Sequence, residues 1–136
     1  MVSGMMKVTA VTPILNVSNI TESFNWFESL GWSIGLQWGE PVDFGSVCNG
    51  DTEIFLCHDG QGGRGKGANT DTFGEGENMD KGVWMSLWVD DVDAVHAHSV
   101  DIGIDITYPP TDMPWNVREM HIRHPDGHVF RVTQGL

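Results

Sequence analysis

The sequence has few positively charged residues. Seven Lys and Arg stand against 19 Asp and Glu, which gives a formal net charge of −12. A field of this sign repels phosphate backbones and argues against a nucleic-acid partner. It attracts cations, although the same charge can also serve solubility alone. The composition therefore leaves a cationic small molecule as a candidate ligand.

Long apolar runs are also missing. No run approaches the roughly 20 apolar residues that are needed to cross a bilayer. Residues 1–7 lack the apolar core of a signal peptide. We therefore expect a cytoplasmic protein without a membrane partner.

Cysteine is scarce, with only Cys48 and Cys57 present. They flank a predicted hairpin whose turn is Asn49-Gly50. If Cys48 lies opposite Asp51, Cys57 is about six residues further along the partner strand, or roughly 20 Å away. A disulfide needs Cα atoms within about 7 Å of each other. Both cysteines are therefore expected to be free thiols in strands.

An internal repeat organises the chain. Residues 13–34 align without a gap on residues 85–106. The matches are spaced first by two residues and then by helical steps, which indicates a strand followed by a helix, written twice. The matched pairs are Leu15 with Leu87, Val17 with Val89, Asn19 with Asp91, Ile20 with Val92, Leu30 with Ile102, Gly31 with Gly103, and Ile34 with Ile106.

Each repeat carries signals for the start and end of its helix. A short side-chain oxygen can accept from the first free N–H groups, and a glycine commonly follows the last turn. The caps are Ser18 or Asn19 and Asp90 or Asp91, the apolar stripes are Ile20, Phe24, Phe27 and Leu30 and then Val92, Val95, Ser99 and Ile102, and the glycines are Gly31 and Gly103.

The remaining segments read as strands. Each half then has the order βαβββ, and the chain is predicted to have an α+β fold. Its length of 136 residues suits one domain. The glycine-rich residues 59–81 between the halves read as a linker or as a flap over a ligand. The predicted strands are Val8–Val17, Ser33–Trp38, Val42–Cys48, Thr52–His58, Val83–Val89, Ile104–Tyr108, Val117–Arg123 and His128–Thr133.

The paired halves, the segment Asn19–Gly31, and the series Pro114-Trp115, Arg118-Glu119 and Pro125-Asp126-Gly127 resemble the glyoxalase/bleomycin-resistance/dioxygenase (vicinal oxygen chelate) superfamily. The likeness is greatest to its small bleomycin-resistance-type members. It implies one domain over residues 1–136, with module one at about 8–58 and module two at about 82–136. It also implies cupped mixed sheets with the helices outside the cups, and homodimers whose modules face each other across a groove.

The resemblance also implies where a metal would lie. In metal-dependent members the ligands come from the first and last strands of each module. Carried over, these positions fall on Thr12, on Phe55 or Leu56, on Trp84 and on Arg131. Phe, Leu and Trp have no suitable lone pair, Thr is a weak ligand and Arg is a permanent cation. We therefore predict no metal, no cofactor and no inherited catalytic residue.

An alternative is a metal-dependent lyase, dioxygenase or transferase with a non-standard site. Its candidate ligands are His58, Glu119 and His121. Glu119 and His121 share a strand face and could form an acid/base pair. Glu119 also has Arg118 beside it as a candidate ion-pair partner.

Strand alternation assigns the side chains that line the cup of module two. Met85, Leu87 and Val89 match the positions that pack under the first helix, so the residues between them face the cup. Trp115 matches a groove residue of the bleomycin-resistance relatives. The candidate ligand-binding residues are Trp84, Ser86, Trp88, Trp115 and Arg131, with Thr12, Asn16 and Trp38 from module one.

Indole rings present large apolar faces and attract cations. With the acidic charge, they predict a metal-free protein of the antibiotic-resistance type that sequesters a cationic or aromatic compound. This interpretation leans away from an enzyme. Packing of the indoles in a dimer interface, and a module without any small ligand, remain as alternatives.

Overall fold

The computed structural model describes residues 4–58 and 82–136. Both halves have the predicted βαβββ order, and the predicted linker at residues 59–81 lies outside the described residues. The elements are β1 (Ile14–Val17), α1 (Ile20–Ser29), β2 (Ser33–Trp38), β3 (Phe44–Asn49), β4 (Thr52–His58), β5 (Trp84–Trp88), α2 (Val92–Ile102), β6 (Asp105–Met113), β7 (Val117–Arg123) and β8 (Val129–Gly135).

The strands form two four-stranded mixed sheets. The first sheet has the order β1-β4-β3-β2 and the second has β5-β8-β7-β6. In each sheet the first and last strands of the half pair in parallel, and the hairpins pair antiparallel. This arrangement confirms the predicted α+β fold.

Both helices begin where the repeat predicts. The side chains of Asn19 and Asp91 accept hydrogen bonds from the backbone N–H groups of Glu22 and Ala94. Gly103 ends α2 in the left-handed conformation at a φ of 77°, where a side chain would be strained. The duplicated sequence thus specifies the same strand-to-helix turn twice.

The helices pack on one face of each sheet, and these faces share one buried cluster. Phe27 of α1 and Phe130 of β8 are fully buried, with ring centroids 5.8 Å apart. Helix α1 therefore contacts the second sheet as well as its own. Neither helix in the two described ranges is long and apolar enough to cross a membrane. The cluster includes Leu15, Val17, Ile54 and Leu56 from module one and Val92, Met120, Ile122 and Val132 from module two.

Polar contacts join module one to the turn between β7 and β8, and we call this group the β7–β8 latch. All three bonds connect segments that are more than 100 residues apart in sequence. They fix module one at this end of the second sheet. The bonds are Ser23 Oγ to His124 Nε2 (2.9 Å), the Ser18 N–H to the Asp126 carboxylate (2.9 Å), and His128 Nε2 to the Asn16 carbonyl (2.8 Å).

Two strands differ in length from the prediction. β1 begins at Ile14 rather than Val8, and Val8 and Val11 are exposed. β6 runs to Met113 instead of ending at Tyr108. It continues through two prolines because it is an edge strand and because a register shift between Tyr108 and Thr111 leaves both prolines out of the pairing with β7.

The register of the β3–β4 hairpin also differs from the prediction. Cys48 lies opposite Glu53 and not opposite Asp51. The two-residue loop is Gly50-Asp51, because Gly50 adopts the positive φ of 58° that such a loop requires. Cys48 and Cys57 are nevertheless both free, as predicted.

Candidate functional site

The second sheet has one face that carries no helix, which we call the open face. Strand alternation sets its composition, because the intervening residues Met120 and Val132 are buried in the core. The register places His121 opposite both Tyr108 and Arg131. The open face consists of Trp84, Ser86 and Trp88 of β5, Tyr108 of β6, Glu119 and His121 of β7, and Arg131 and Thr133 of β8.

Glu119 is the centre of the open face and is only 1% exposed. Arg131 donates from Nη2 to Glu119 Oε1 at 2.7 Å and from Nε to Oε2 at 3.1 Å. His121 Nε2 lies 2.8 Å from Oε2, and Trp115 Nε1 donates to Oε1 at 3.3 Å. A buried carboxylate is tolerated when it is paired and hydrogen-bonded in this way.

The same contacts fix the protonation of Glu119. The Arg131 guanidinium lowers the pKa of Glu119 to about 2, against the opposing effect of burial and with further help from the His121 hydrogen bond. Glu119 in turn raises the pKa of Arg131. An ionised carboxylate can only accept, so His121 holds the shared hydrogen on Nε2. Glu119 and Arg131 together add no net charge to the open face.

Arg131→Gln is expected to raise the pKa of Glu119. An opposite charge at this distance lowers a carboxyl pKa by about 1–3 units, and the substitution removes that charge. A ¹³C NMR titration of the Glu119 carboxyl carbon measures the change. Arg123→Gln is the matched control, because Arg123 pairs with Asp105. An unchanged Glu119 titration in Arg131→Gln would show that the ion pair does not set this pKa.

Exposed indole rings surround this polar centre. Trp84, Trp88 and Trp115 are 67%, 69% and 56% exposed. The Arg131 guanidinium lies over the Trp84 ring, 5.3 Å from its centroid. The Tyr108 ring lies 4.9 Å from that of His121. Aromatic surface exposed as a group around polar side chains is typical of an interaction site.

The structure brings together only part of the predicted ligand-binding set. Trp84, Ser86, Trp88 and Arg131 share the open face, and Trp115 reaches it through its hydrogen bond to Glu119. The other three belong to module one and not to the open face. Thr12 precedes β1, Asn16 lies within β1, and Trp38 ends β2.

The candidate ion pair between Glu119 and Arg118 is wrong. Successive residues of a strand point to opposite faces, so the two side chains cannot meet. Arg118 instead pairs with Asp93 of α2 and Asp112 of β6, each at 3.0 Å. These carboxylates, Asp93 first, raise the pKa of Arg118.

Sequence reasoning missed the true partner of Glu119, although a signal was present. A hairpin centred on Asp126 places His121 opposite Arg131, and Glu119 is then one diagonal step away on the same face. Tyr108 was missed because its strand was predicted to end there, before the proline pair.

The residues at the four metal-ligand positions implied by the family resemblance are not suited to bind a metal ion. Phe55, and not Leu56, takes the position on the last strand of module one that points away from the core, because Leu56 is fully buried. Thr12, Phe55, Trp84 and Arg131 supply neither imidazole nor carboxylate, the donors that zinc and iron require in such sites.

The alternative metal site is not assembled either. His58 ends β4 of module one, while Glu119 and His121 lie on β7 of module two. Across residues 4–58 and 82–136, no three or more His, Cys, Asp and Glu side chains form a group that could hold a metal ion.

A Ser-His-Asp cluster occurs in the β7–β8 latch, but its hydrogen bonds make it structural. Ser23 Oγ lies 2.9 Å from His124 Nε2, and His124 Nδ1 lies 3.8 Å from the Asp126 carboxylate. Nδ1 accepts the backbone N–H of Asp126 at 3.0 Å, so Nε2 carries the hydrogen and donates to Ser23. A histidine in this tautomer cannot take a proton from serine as a general base.

Comparisons with known proteins identify the family of the chain and solved structures with the same fold. The model of the glyoxalase/bleomycin resistance protein/dioxygenase superfamily matches residues 7–132. A glyoxalase/bleomycin resistance protein/dioxygenase from Nocardioides is similar in structure, with a TM-score of 0.73, 18% identity, and coverage of 98% of this chain and 87% of that chain.

Bleomycin-binding proteins are similar as well. One from bleomycin-producing Streptomyces verticillus, solved with copper(II)-bleomycin, has a TM-score of 0.66 and 20% identity, covering 97% of this chain and 100% of that chain. Another, complexed with bleomycin, has a TM-score of 0.68 and 17% identity, covering 95% and 100%. At these identities the likeness shows the fold. A search of the curated proteins found no match.

Proposed function

The chain belongs to the glyoxalase/bleomycin resistance protein/dioxygenase superfamily, and on this premise we propose that it is a metal-free protein that sequesters a cationic or aromatic small molecule, as antibiotic-resistance proteins do. The observation that carries the proposal is the open face, where exposed indoles surround the neutralised Glu119–Arg131 pair. The fold alone supports no choice between binding and catalysis.

The chemistry of the open face favours binding over catalysis. Trp84 and Arg131 stand where metalloenzymes of this fold place ligands, and they stack on each other at 5.3 Å. The Glu119 carboxylate is ionised and fully hydrogen-bonded, so it is a poor proton carrier at neutral pH. What remains is apolar ring surface, which binds flat or cationic groups with about 0.5–2 kcal/mol per contact.

We include in the proposal a homodimer that completes the groove. The helix-free face of the first sheet presents Ile14 and Trp38, which are 55% and 63% exposed, beside the Phe44–Phe55 ring pair. A second copy of the chain that set this apolar face against the open face would cover both. β1 and β5 are edge strands and offer unpaired backbone groups for the same contact.

The expected result of a binding test is saturable binding of copper(II)-bleomycin and of proflavine, a planar aromatic cation, followed by quenching of tryptophan fluorescence. Trp84→Ala and Trp88→Ala should each weaken binding about tenfold or more, because buried aromatic contacts dominate such sites. Native mass spectrometry should report two ligands per dimer and recovery of unchanged ligand.

The matched control for this test is Val100→Ala. Val100 is also an exposed apolar residue, at 59%, but it lies on α2 away from the open face. Its affinity should equal that of the unaltered protein. Equal loss in all three variants, or wild-type affinity in both tryptophan variants, would contradict a site on the open face. Turnover of the ligand would refute sequestration.

A further inference from the structure

A cavity lies between the two modules, on the opposite side of the second sheet from most of the open face. Its volume is about 380 Å³ and it is partly open to solvent. Val132 lines it, while the adjacent residue Arg131 points to the open face. The second sheet therefore separates the two spaces except at its edge strand β5, where Ser86 and Trp88 border both. Helix α1 forms one wall, and helix α2 and the second sheet form the other.

The cavity marks the part of the module interface that is not closed by packing. Near the β7–β8 latch, Trp26 and Phe27 of α1 pack on Phe130 with ring centroids 5.7 and 5.8 Å away. Further along, Leu30 and Val95 also line the space and remain only partly buried. Close-packed interiors leave few voids larger than a water molecule, whereas ligand pockets measure about 300–1,000 Å³.

The lining has a definite chemical character. Aromatic and aliphatic side chains dominate it, among them Trp32 from module one and Leu87 from module two. Its polar side chains are uncharged and include Asn49 and Thr52 beside the β3–β4 loop. Within the described part of the chain, no charged side chain lines the cavity. A charged ligand would be desolvated there without a partner, which disfavours it strongly.

We propose that this cavity is a second binding site, for a neutral aromatic molecule of one or two rings with a single hydrogen-bonding group. The indole and phenyl walls supply offset and edge-to-face contacts to the rings. The amide of Asn49 and the hydroxyl of Thr52 supply the polar contact at one end. This ligand is neutral, whereas the open face is proposed to take cationic as well as aromatic molecules.

Such a ligand would contact both modules at once. Leu30 and Trp32 directly follow the end of α1, and Val95 lies in the first turns of α2. Binding to the native arrangement alone raises the free energy of unfolding by mass action. The site would therefore couple occupancy to the docking of the two halves.

The test uses indole as a neutral probe and tryptamine as its charged counterpart. Isothermal titration should show saturable binding of indole to the full chain. The same titration in the presence of saturating tryptamine, which the open face is proposed to take, should give the same indole affinity. Leu30→Trp, which fills the cavity, should weaken indole binding at least tenfold. Trp84→Ala, on the other side of the sheet, should leave it unchanged.

Val95→Phe fills the same space from α2 and serves if Leu30→Trp does not fold, with circular dichroism reporting the fold of each variant. Absence of saturable indole binding to the unaltered chain would overturn the proposal. Loss of indole binding in Trp84→Ala, with full binding in both filled variants, would place the ring on the open face and overturn it as well.

Discussion

Phe27→Ala is expected to lower the free energy of unfolding by about 3–5 kcal/mol, the usual range for removing a buried phenyl ring. Phe27 is fully buried, and its ring contacts Trp26, Trp32 and His124 at centroid distances of 5.0, 5.4 and 6.0 Å, besides Phe130. The substitution thus removes packing within module one and between the modules. Urea denaturation followed by circular dichroism measures the change.

Val100→Ala is the control, because it removes apolar atoms from a side chain that is 59% exposed and lies on neither of the faces proposed for ligand or partner. Its effect should stay within about 0.5 kcal/mol. A loss below about 1 kcal/mol in Phe27→Ala would mean that α1 does not join the two sheets in a common core.

Acid is expected to destabilise the protein between pH 6.5 and pH 4 through His124. Burial, with a smaller contribution from nearby His128, lowers the pKa of His124 to about 4 from the ordinary 6.5. The unfolded chain then binds a proton that the folded chain excludes. Stability is therefore complete above pH 6.5 and declines as the pH falls towards 4, by about 3 kcal/mol in total.

His124→Gln isolates this effect, because glutamine can still donate to Ser23 but does not titrate. The variant is expected to be less stable overall, and the informative quantity is the slope of stability against pH. Between pH 6.5 and pH 4.5 the wild type should lose markedly more stability than the variant. Equal slopes would show that His124 is not excluded from protonation. Glu119 does not interfere in this window, since its folded pKa is about 2 and its unfolded pKa lies near 4.5.

The features predicted correctly from the sequence, such as helix caps and strand faces, depend on residues that are close together in the chain. Asn19 and Asp91 cap their helices because the chemistry of an N-cap lies within three residues. Alternation in β5 correctly set Trp84 and Trp88 apart from Leu87, because a strand has a period of two.

The packing of the two modules could not be predicted in the same way, because it depends on contacts between segments that are far apart in the sequence. The position of α1 against Phe130 and the β7–β8 latch join residues about 100 positions apart, and no local pattern encodes their distance. The register of a hairpin is predictable only in part. The turn at Gly50 was predicted, but Gly50 is the first residue of the loop and not the second, so Cys48 pairs with Glu53 and not with Asp51.

Glu119 has a further consequence for selectivity. A carboxylate offers about four acceptor sites, and Arg131, His121 and Trp115 occupy two on each oxygen. An arriving ammonium group thus finds no lone pair there to which it could donate. At Glu119 the charge is therefore recognised through the ring faces of the neighbouring indoles, which attract cations without needing an N–H donor. We therefore expect a ligand with a fully methylated nitrogen to bind as tightly as one with a protonated amine. Methylation of the nitrogen would then not abolish binding.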